Sequence, residues 1–398
     1  MKIGVLTFHR SFNYGAFMQC FSLVTRLRRD FPDICIEVVD YSSKTAMSGY
    51  DKTILNSKPD IAKKLKARNA AFLQCQETLP LSSKSIVTDN TEEITKFLNL
   101  NYDAVIVGSD AVWNWNVRGF PNVYFLKDYA GEKFSYAASA HGLIYQHCGD
   151  EYRRYLNVAF GDFRYIGVRD ITTAKLVHFA NPDIEVHHNC DPTMFLDLKD
   201  IPCDKVLLEK KMNNAGVDFS KPLIGVMASD NIGYEIKKHY GDSVQLVALY
   251  APNKYADIFL YDLTPFEWAN VFSYFKVTLT HYFHGTMLSL VNGTPVIPIE
   301  FESSFSKKNV TKINDLMNRI GLSEWRHVID TTNDNIWKRI WRKFHVPYDK
   351  EVWKSVISQI DYLMNKDCSQ LIREKVLTER QTADSFFDAI RSLVTGNR

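Results

Sequence analysis

The chain of 398 residues is longer than one hydrophobic core usually serves, so its length predicts two domains. With 48 basic and 46 acidic residues and a formal charge of +2, the composition excludes a strongly basic surface, and we expect no nucleic-acid partner. The hydrophobic fraction of 45% is ordinary for a globular protein, and no apolar run reaches the length of about 18 residues that indicates a membrane-spanning helix.

The seven cysteines indicate neither a disulfide framework nor a metal site. Their number is odd and no two of them show CxxC spacing, so we interpret them as reduced thiols. The chain passes from Met1 and Lys2 directly into a short apolar strand, which is too short for the core of a signal peptide. Together these features predict a cytoplasmic location.

The first elements of the chain predict a βαβ unit. Ile3 to Phe8 is a continuous apolar run typical of a strand, Ala16 to Arg29 has helical spacing, and Cys35 to Asp40 predicts the next strand. The loop after the first strand lacks the GxGxxG fingerprint, so we expect no dinucleotide cofactor. Residues 42–98 are polar and lysine-rich, and we interpret them as an insert with one helical patch at 61–73.

Four more strands are predicted in the first half, and polar residues follow each of them. The strands cover 104–107, 134–138, 165–168 and 185–188. The residues at their exits include Ser109, Asp110, His141, Arg169, Asp170 and Asp191. Because the carboxyl ends of parallel strands meet at one edge of a sheet, the pattern predicts a shared ligand site there. Capping of the following helices explains the serine and the aspartates equally well.

The second half contains the strongest local pattern. Strands are predicted at 222–227 and 244–250, and a helix at 265–275. Lys276 to Glu300 then has the order strand, polar turn, helix, turn and strand, which is a second βαβ unit. His284 lies where the strand leads into the helix, and the first turn of a helix favours anions. We therefore expect His284 beside an anionic substrate, or else as a residue that only caps its helix.

These elements predict an α/β protein with two Rossmann-like domains that face a cleft, as in the glycosyltransferase-B architecture. We place the first domain at 1–197, with the insert at about 42–98, and the second at 198–383. The final segment, 384–398, carries on one helical face Phe386, Phe387, Ile390, Leu393 and Val394. We expect this helix to pack back on the first domain.

Six strings of the sequence carry a family resemblance. In chain order they are IGVLTFHRSFNYGAFMQCFSL at 3–23, DAVIVGSDAVWN at 103–114, KFSYAASAHG at 133–142, IGVRD at 166–170, CDPTMFL at 190–196 and VTLTHYFHGTMLSLVNGTPVIPI at 277–299. Through these strings the chain resembles the polysaccharide pyruvyl transferase family. The resemblance implies two Rossmann-like domains. It also implies transfer of the enolpyruvyl group of phosphoenolpyruvate to two hydroxyls of a sugar, which forms a cyclic pyruvate ketal in a cell-surface polysaccharide, such as an exopolysaccharide, or in its activated or lipid-linked precursor.

The chemistry of phosphoenolpyruvate assigns roles to the residues at the strand exits. Its carboxylate and phosphate need cations or N–H donors, and its methylene carbon needs a general acid. We expect His284 to be the catalytic acid, because an imidazole titrates near neutral pH. Arg10 and Arg169 are candidates to hold the carboxylate or the phosphate, since a guanidinium binds either anion bidentately. The other residues expected to bind substrate are Asn13, Tyr14, Ser109, Asp110, His141, His281, Tyr282, Gly285 and Lys307.

One position departs from the family pattern. Characterised members tend to carry an arginine two residues before the motif histidine, and Tyr282 stands at that position here. Either Lys307, Lys308, His281 or Arg169 supplies the missing positive charge, or the ligand is a different anion. Two other functions therefore stay open. One is a nucleotide-sugar-dependent glycosyltransferase of the same fold, and the other is a non-catalytic glycan-binding member of a polysaccharide assembly complex.

We expect no cofactor and no metal, with phosphoenolpyruvate and a sugar or lipid-linked glycan as the partners. His281 and His284 lie three residues apart, but no third ligand shares their segment. The helix predicted at 336–344 has aromatic and apolar residues on one face and basic residues on the other. This pattern is compatible with peripheral contact with the inner membrane surface, or with an aromatic face packed on the domain.

Overall fold

The computed structural model describes residues 1–45, 55, 58–302, 310–330 and 350–396. They form two compact units, Met1–Leu196 with Glu379–Arg398, and Asp197–Thr378. Lys307, Lys308 and the helix predicted at 336–344 lie outside the described residues. Within the described ranges, no helix combines the length and the apolar character that crossing a membrane requires.

The first unit is built on a six-stranded parallel sheet. In chain order the strands of this unit are β1 (Lys2–Leu6), β2 (Cys35–Val38), β3 (Tyr41–Ser42), β4 (Ile86–Val87), β5 (Ala104–Val107), β6 (Glu132–Ala138), β7 (Phe163–Val168) and β8 (His187–His188). The sheet has the order β2-β1-β5-β6-β7-β8, and β3 pairs separately with β4. The central strand β5 is apolar and buried along its whole length, as in parallel sheets that are covered on both faces.

Among the described residues, six helices connect these strands. They are α1 (Tyr14–Asp30), α2 (Pro59–Gln76), α3 (Thr91–Asn101), α4 (Trp115–Arg118), α5 (Asp150–Gly161) and α6 (Ile171–Ala180). Asn13 begins α1 by accepting a hydrogen bond from the amide of Gly15 at 3.0 Å, and Asp170 begins α6 by accepting one from the amide of Thr173 at 2.9 Å. Both are side-chain caps of the kind that stabilises a helix N-terminus.

The segment interpreted as an insert packs against the sheet and α1. Phe72 of α2 is buried, and its ring centroid lies 5.6 Å from that of Phe17 in α1. After α2, the carbonyl of Pro80 accepts a hydrogen bond from the amide of Val38, and the amide of Ser82 donates to the carbonyl of Val38, both at 2.8 Å. The segment therefore pairs with the last residue of β2 through an isolated bridge.

The second unit contains another six-stranded parallel sheet. Its strands are β9 (Leu223–Met227), β10 (Gln245–Leu249), β11 (Ile258–Leu260), β12 (Val277–Thr280), β13 (Val296–Glu302) and β14 (His327–Asp330). The order across the sheet is β11-β10-β9-β12-β13-β14. The helices are α7 (Lys205–Asn214), α8 (Asp230–Tyr240), α9 (Pro265–Val271), α10 (Phe283–Val291), α11 (Lys312–Arg319), α12 (Lys350–Asn365) and α13 (Ser369–Arg380). Two parallel sheets with intervening helices confirm the predicted class of two Rossmann-like domains.

The final helix, α14 (Asp384–Thr395), packs on the first unit. Phe386, Phe387 and Ile390 are buried on one of its faces. The ring centroid of Phe386 lies 4.7 Å from that of Tyr136 in β6 and 5.5 Å from that of Tyr165 in β7. The apolar face recognised in the sequence therefore meets the aromatic residues of two strands.

Candidate functional site

A buried arginine links the ends of two strands in the first unit. Arg169 follows β7 and is only 2% exposed, and its Nη1 donates to Oδ2 of Asp191 at 3.0 Å. Gln19 of α1 donates to the same oxygen at 2.5 Å. Burial opposes the charge on the guanidinium, but Asp191, Asp110 and Asp170 outweigh it and raise the pKa of Arg169. Arg169 is thus committed to an ion pair inside the unit.

Hydrogen bonds also order the exit of β6. The hydroxyl of Ser139 donates to Asp170 at 2.6 Å, and the amide of His141 donates to the oxygen of that hydroxyl at 3.1 Å. The carbonyl of His141 accepts from Asn114 at 2.7 Å. The predicted site residue His141 is therefore held through its main chain at the carboxyl edge of the sheet.

The exit of β5 has an unusual backbone. Gly108 has φ 110°, and a Cβ atom there would lie 2.3 Å from the carbonyl oxygen of Tyr136, so only glycine fits. Asp110 has φ 79°, which is uncommon for a residue with a side chain. Between them Ser109 is buried, and its carbonyl accepts from the hydroxyl of Thr7 at 2.9 Å. Such conformations concentrate at ligand sites, because the surrounding structure has to hold them in place.

The loop after β1 contains a second ion pair. Nε of Arg10 donates to Oδ1 of Asp40 at 2.6 Å, and Nε2 of His9 donates to the same oxygen at 3.1 Å. Burial alone would raise the pKa of Asp40, but the hydrogen bonds from His9 and Arg10 and the charge of Arg10 lower it well below its ordinary value. Arg10 is therefore occupied by Asp40, as Arg169 is by Asp191.

The two residues after this loop have structural contacts. Asn13 is exposed and caps α1. Tyr14 is buried, its hydroxyl donates to the carbonyl of Arg68 at 3.3 Å, and its ring stacks on Phe72 with 5.9 Å between centroids. Tyr14 therefore helps to attach α2 to the unit.

In the second unit, α10 approaches the sheet closely at the end of β12. A Cβ atom on Gly285 would lie 2.5 Å from Oγ1 of Thr280 and 3.1 Å from the sulfur of Met227. The hydroxyl oxygen of Thr280 accepts a hydrogen bond from the amide of Tyr282 at 2.9 Å. Gly285 is therefore needed for packing, and this packing sets the position of the first turn of α10.

His281 is held in one tautomer. Its Nδ1 lies 2.5 Å from the main-chain oxygen of Ile299, and because a carbonyl can only accept, Nδ1 carries the proton. Burial lowers the pKa of His281, although the hydrogen bond to Ile299 and the charge of Glu300 oppose this. The ring is neutral at neutral pH, so His281 does not supply the positive charge that Tyr282 lacks. Its Nε2 bears the lone pair and lies 3.5 Å from the hydroxyl oxygen of Ser229.

Tyr282 and His284 lie at the start of α10. Tyr282 is 41% exposed and does not cap the helix with its side chain. Its ring centroid lies 5.7 Å from that of Tyr250, which has φ 66° and directly follows β10. His284 is half-buried in the first helical turn, with its ring 5.4 Å from that of Phe283. The positive end of the helix dipole therefore coincides with a histidine and an accessible tyrosine.

Two cations that were not predicted as site residues lie beside these strand exits. Nζ of Lys312 lies 5.0 Å from the ring centroid of Phe283, next to the first turn of α10. In the first unit, the guanidinium of Arg118 lies 4.1 Å from the ring centroid of Phe8, just after β1. Neither residue directly follows a strand, because Arg118 lies in α4 and Lys312 in α11. No local pattern in the sequence marks either of them.

The described ranges contain no group of three or more His, Cys, Asp or Glu side chains that could hold a metal ion. All seven cysteines are free thiols, and burial raises the pKa of Cys190 to about 12. That thiol therefore stays protonated at neutral pH and is a poor nucleophile.

The sequence matches a family model over residues 13–303, and the family is described as polysaccharide pyruvyl transferase. The match covers well over half of the chain. This protein belongs to the polysaccharide pyruvyl transferase family. Membership supports a transferase that modifies polysaccharides. No curated protein matches the chain in sequence.

Solved structures share the fold of this family member at low sequence identity. UDP-GlcNAc 2-epimerase from Methanocaldococcus jannaschii is 10% identical with a TM-score of 0.51, over 92% of this chain and 94% of that chain. UDP-N-acetylglucosamine 2-epimerase from Rickettsia bellii is 9% identical with a TM-score of 0.53, over 99% and 96%. HepE from Anabaena, in complex with UDP, is 10% identical with a TM-score of 0.51, over 98% and 100%. These similarities concern the fold alone.

In this pyruvyl transferase family member, the predicted site residues fall into two groups, one in each unit. The first unit contains Arg10, Asn13, Tyr14, Ser109, Asp110, His141 and Arg169, and the second contains His281, Tyr282, His284 and Gly285. The family match ends before Lys312 and includes Arg118.

Proposed function

We propose that this protein transfers the pyruvyl group of phosphoenolpyruvate to two hydroxyls of one sugar, in a cell-surface polysaccharide or in its activated or lipid-linked precursor. Family membership supports the proposal, and the observation that carries it is the position of His284. This histidine is half-buried in the first turn of α10, at the carboxyl end of β12. An acid at that place meets an anionic donor where the helix terminus already attracts negative charge.

The reaction needs one proton at carbon and one leaving phosphate. His284 gives its proton to C3 of phosphoenolpyruvate, which becomes a methyl group. One sugar hydroxyl forms a bond to C2, inorganic phosphate leaves from C2, and the second hydroxyl takes its place. A base takes the proton of one sugar hydroxyl and returns it to His284. The proton of the other hydroxyl leaves with the phosphate. The negative charges of the bound donor favour the protonated form of His284, because they stabilise the imidazolium.

His281 is suited to the role of that base. Its proton is fixed on Nδ1 by Ile299, so the lone pair on Nε2 points to the side of Ser229. Its lowered pKa keeps the imidazole unprotonated at neutral pH, so the lone pair on Nε2 is available to accept a proton. Two histidines three residues apart thus differ in role because their surroundings differ.

We expect the cations that bind the donor to lie near α10. Arg10 and Arg169 form ion pairs with Asp40 and Asp191, so we assign them a structural role within the first unit. Lys312 approaches the first residue of α10 and becomes our candidate cation for the carboxylate or the phosphate. Together with the positive end of the α10 dipole, it takes over part of the task of the arginine that Tyr282 replaces.

Single-turnover release of phosphate from phosphoenolpyruvate tests the proposal, with a mixture of soluble and lipid-linked glycans as acceptors. His284→Ala should slow release by roughly 10²–10⁴-fold, because acid catalysis acts mainly in the transition state. Donor affinity measured by calorimetry should fall only modestly. The matched control is His239→Ala, since His239 is exposed in the same unit and should leave the rate unchanged. Release that is equally fast with His284→Ala contradicts the assignment.

The product distinguishes the two other functions. Proteins with this fold include one solved in complex with UDP, so a nucleotide-sugar glycosyltransferase is the competing enzyme. Release of a nucleotide from a nucleotide sugar, without phosphate release from phosphoenolpyruvate, would favour that function. Glycan binding without turnover of either donor would favour a non-catalytic member of an assembly complex. Either result contradicts the proposal.

A further inference from the structure

Three arginines lie near the strand exits of the first unit, and one of them differs in its surroundings. Arg10 is paired with Asp40, and Arg169 with Asp191. Arg118, the last residue of α4, has no carboxylate partner among the residues that the structure describes. Its Nη2 lies 3.4 Å from the hydroxyl oxygen of Ser11, and its Nε is buried with no hydrogen-bond acceptor in the described chain. An anion that binds to a half-buried guanidinium without a carboxylate partner stabilises it.

Aromatic side chains hold this guanidinium in place. Its central carbon lies 4.1 Å from the ring centroid of Phe8. The ring of Phe8 lies 5.1 Å from that of Tyr124, which in turn lies 6.1 Å from that of Tyr41. Burial raises the pKa of both tyrosines. The positive charge of Arg118 opposes this, whereas Asp89 adds to it at Tyr41 and Asp110 adds to it at Tyr124. Because stacking pre-organises the planar fork, little conformational freedom is lost when it binds an anion.

The chemistry of the cluster indicates what it binds. A guanidinium recognises the oxygens of a phosphate ester or a carboxylate bidentately. The hydroxyls of Ser11, Tyr41 and Tyr124 are donors and acceptors of the kind that sugar hydroxyls require. We propose that Arg118 forms the centre of a subsite for an anionic sugar of the acceptor glycan, with its phosphate or carboxylate group on the guanidinium. This inference rests on the proposed function in one respect, that the acceptor is a glycan.

Calorimetric titration of the full-length protein, without phosphoenolpyruvate, tests the subsite. The probes are glucose 1-phosphate, glucuronate, glucose and inorganic phosphate, which separate a phosphate ester, a carboxylate, the sugar and the bare anion. We expect one charged sugar to bind more tightly than glucose, and Arg118→Gln to weaken that binding by roughly tenfold or more. Arg118→Lys should lie between the two, because it keeps the charge and loses the fork.

The matched control is Arg164→Gln. Arg164 is a partly exposed arginine of the same unit at the amino end of β7, 3.6 Å from Glu132, and its loss should leave binding unchanged. The melting temperatures of all variants show whether each one is folded. If Arg118→Gln does not fold, the comparison of Arg118→Lys with the wild type decides, because the proposal requires weaker binding in that variant as well.

Three results would overturn the subsite. They are absence of charged-sugar binding in the wild type, equal affinity in the wild type and a folded Arg118 variant, and inorganic phosphate binding as tightly as glucose 1-phosphate. The last would mean an adventitious ion only. Because the titration contains no donor, it is independent of pyruvyl transfer. A protein that binds the charged sugar through Arg118, but releases no phosphate from phosphoenolpyruvate, would refute the proposed function and retain the subsite.

Discussion

Nδ1 of His281 lies 2.5 Å from the main-chain oxygen of Ile299, and this contact determines where the histidine carries its proton. The two residues are 18 positions apart, at the end of β12 and within the parallel strand β13. Partial burial of the ring disfavours its charged form, so its pKa is lowered. The histidine three residues before His284 is therefore a neutral hydrogen-bonded group and not a substitute cation.

The first prediction concerns stability and pH. The folded-state pKa of His281 lies below its ordinary value of 6.5, so the unfolded chain binds more protons between these two values. The contribution of His281 to the free energy of unfolding should be complete above pH 6.5. It should be lost as the pH drops through the lowered pKa. His281→Gln should show a smaller loss between about pH 8 and about pH 5 in urea titrations, because the group that titrates is absent. His327, whose pKa burial also lowers, is present in both proteins and cancels in the comparison. Equal losses in the two proteins would refute the assignment.

The second prediction concerns Tyr282. Tyr282→Arg restores a guanidinium at an exposed position that makes no side-chain cap, so the fold should be unaffected. If the donor is phosphoenolpyruvate, calorimetry should show an affinity equal to that of the wild type, or higher by about tenfold or more from one added charge-assisted hydrogen bond. Tyr282→Phe is the control, since it retains the ring beside Tyr250. A wild type that does not bind phosphoenolpyruvate, together with a Tyr282→Arg variant that does, would show that the native ligand is a different anion.

The third prediction concerns the buried ion pair. The side chains of Arg169 and Asp191 are 2% and 1% exposed, so removing the arginine leaves an aspartate without its main partner. Arg169→Ala should lower the free energy of unfolding by roughly 3–5 kcal/mol. Arg164→Ala, which breaks a partly exposed pair with Glu132, should cost less than about 1 kcal/mol. Denaturant titration measures both values. Unchanged stability together with lost donor affinity would instead return Arg169 to direct ligand binding.

The fourth prediction concerns α14. Truncation after Ala383 removes the buried side chains of Phe386, Phe387 and Ile390, each of which contributes about 1.5–3 kcal/mol by burial. The melting temperature should fall, and the rings of Tyr136 and Tyr165 should become exposed to solvent. A control chain that ends at Gly396 keeps all of α14 and should melt like the full-length protein. Identical melting of both truncated chains would show that α14 does not stabilise the unit.

The fold class and the strands of the two six-stranded sheets, except β11 and β14, could be predicted from the sequence, because burial in a parallel sheet leaves a local signal. Ala104–Val107 is a short apolar run that the structure buries completely, and Lys276 to Glu300 shows its strand, helix and strand in order. The apolar face of α14 was equally visible. Each signal spans a few residues, because it reflects the side-chain periodicity of one element and the burial of its apolar side chains.

Only the tertiary structure decided which charged residues are available. Arg10 meets Asp40 at a separation of 30 residues, Arg169 meets Asp191 at 22, and Gln19 meets Asp191 at 172. Those contacts depend on the order and register of strands, which no local pattern encodes. For the same reason, Arg118 and Lys312 could not be found from the sequence, since each approaches an aromatic residue of another element. The charges at the strand exits were readable from the chain, but their partners follow from the way the sheet brings distant residues together.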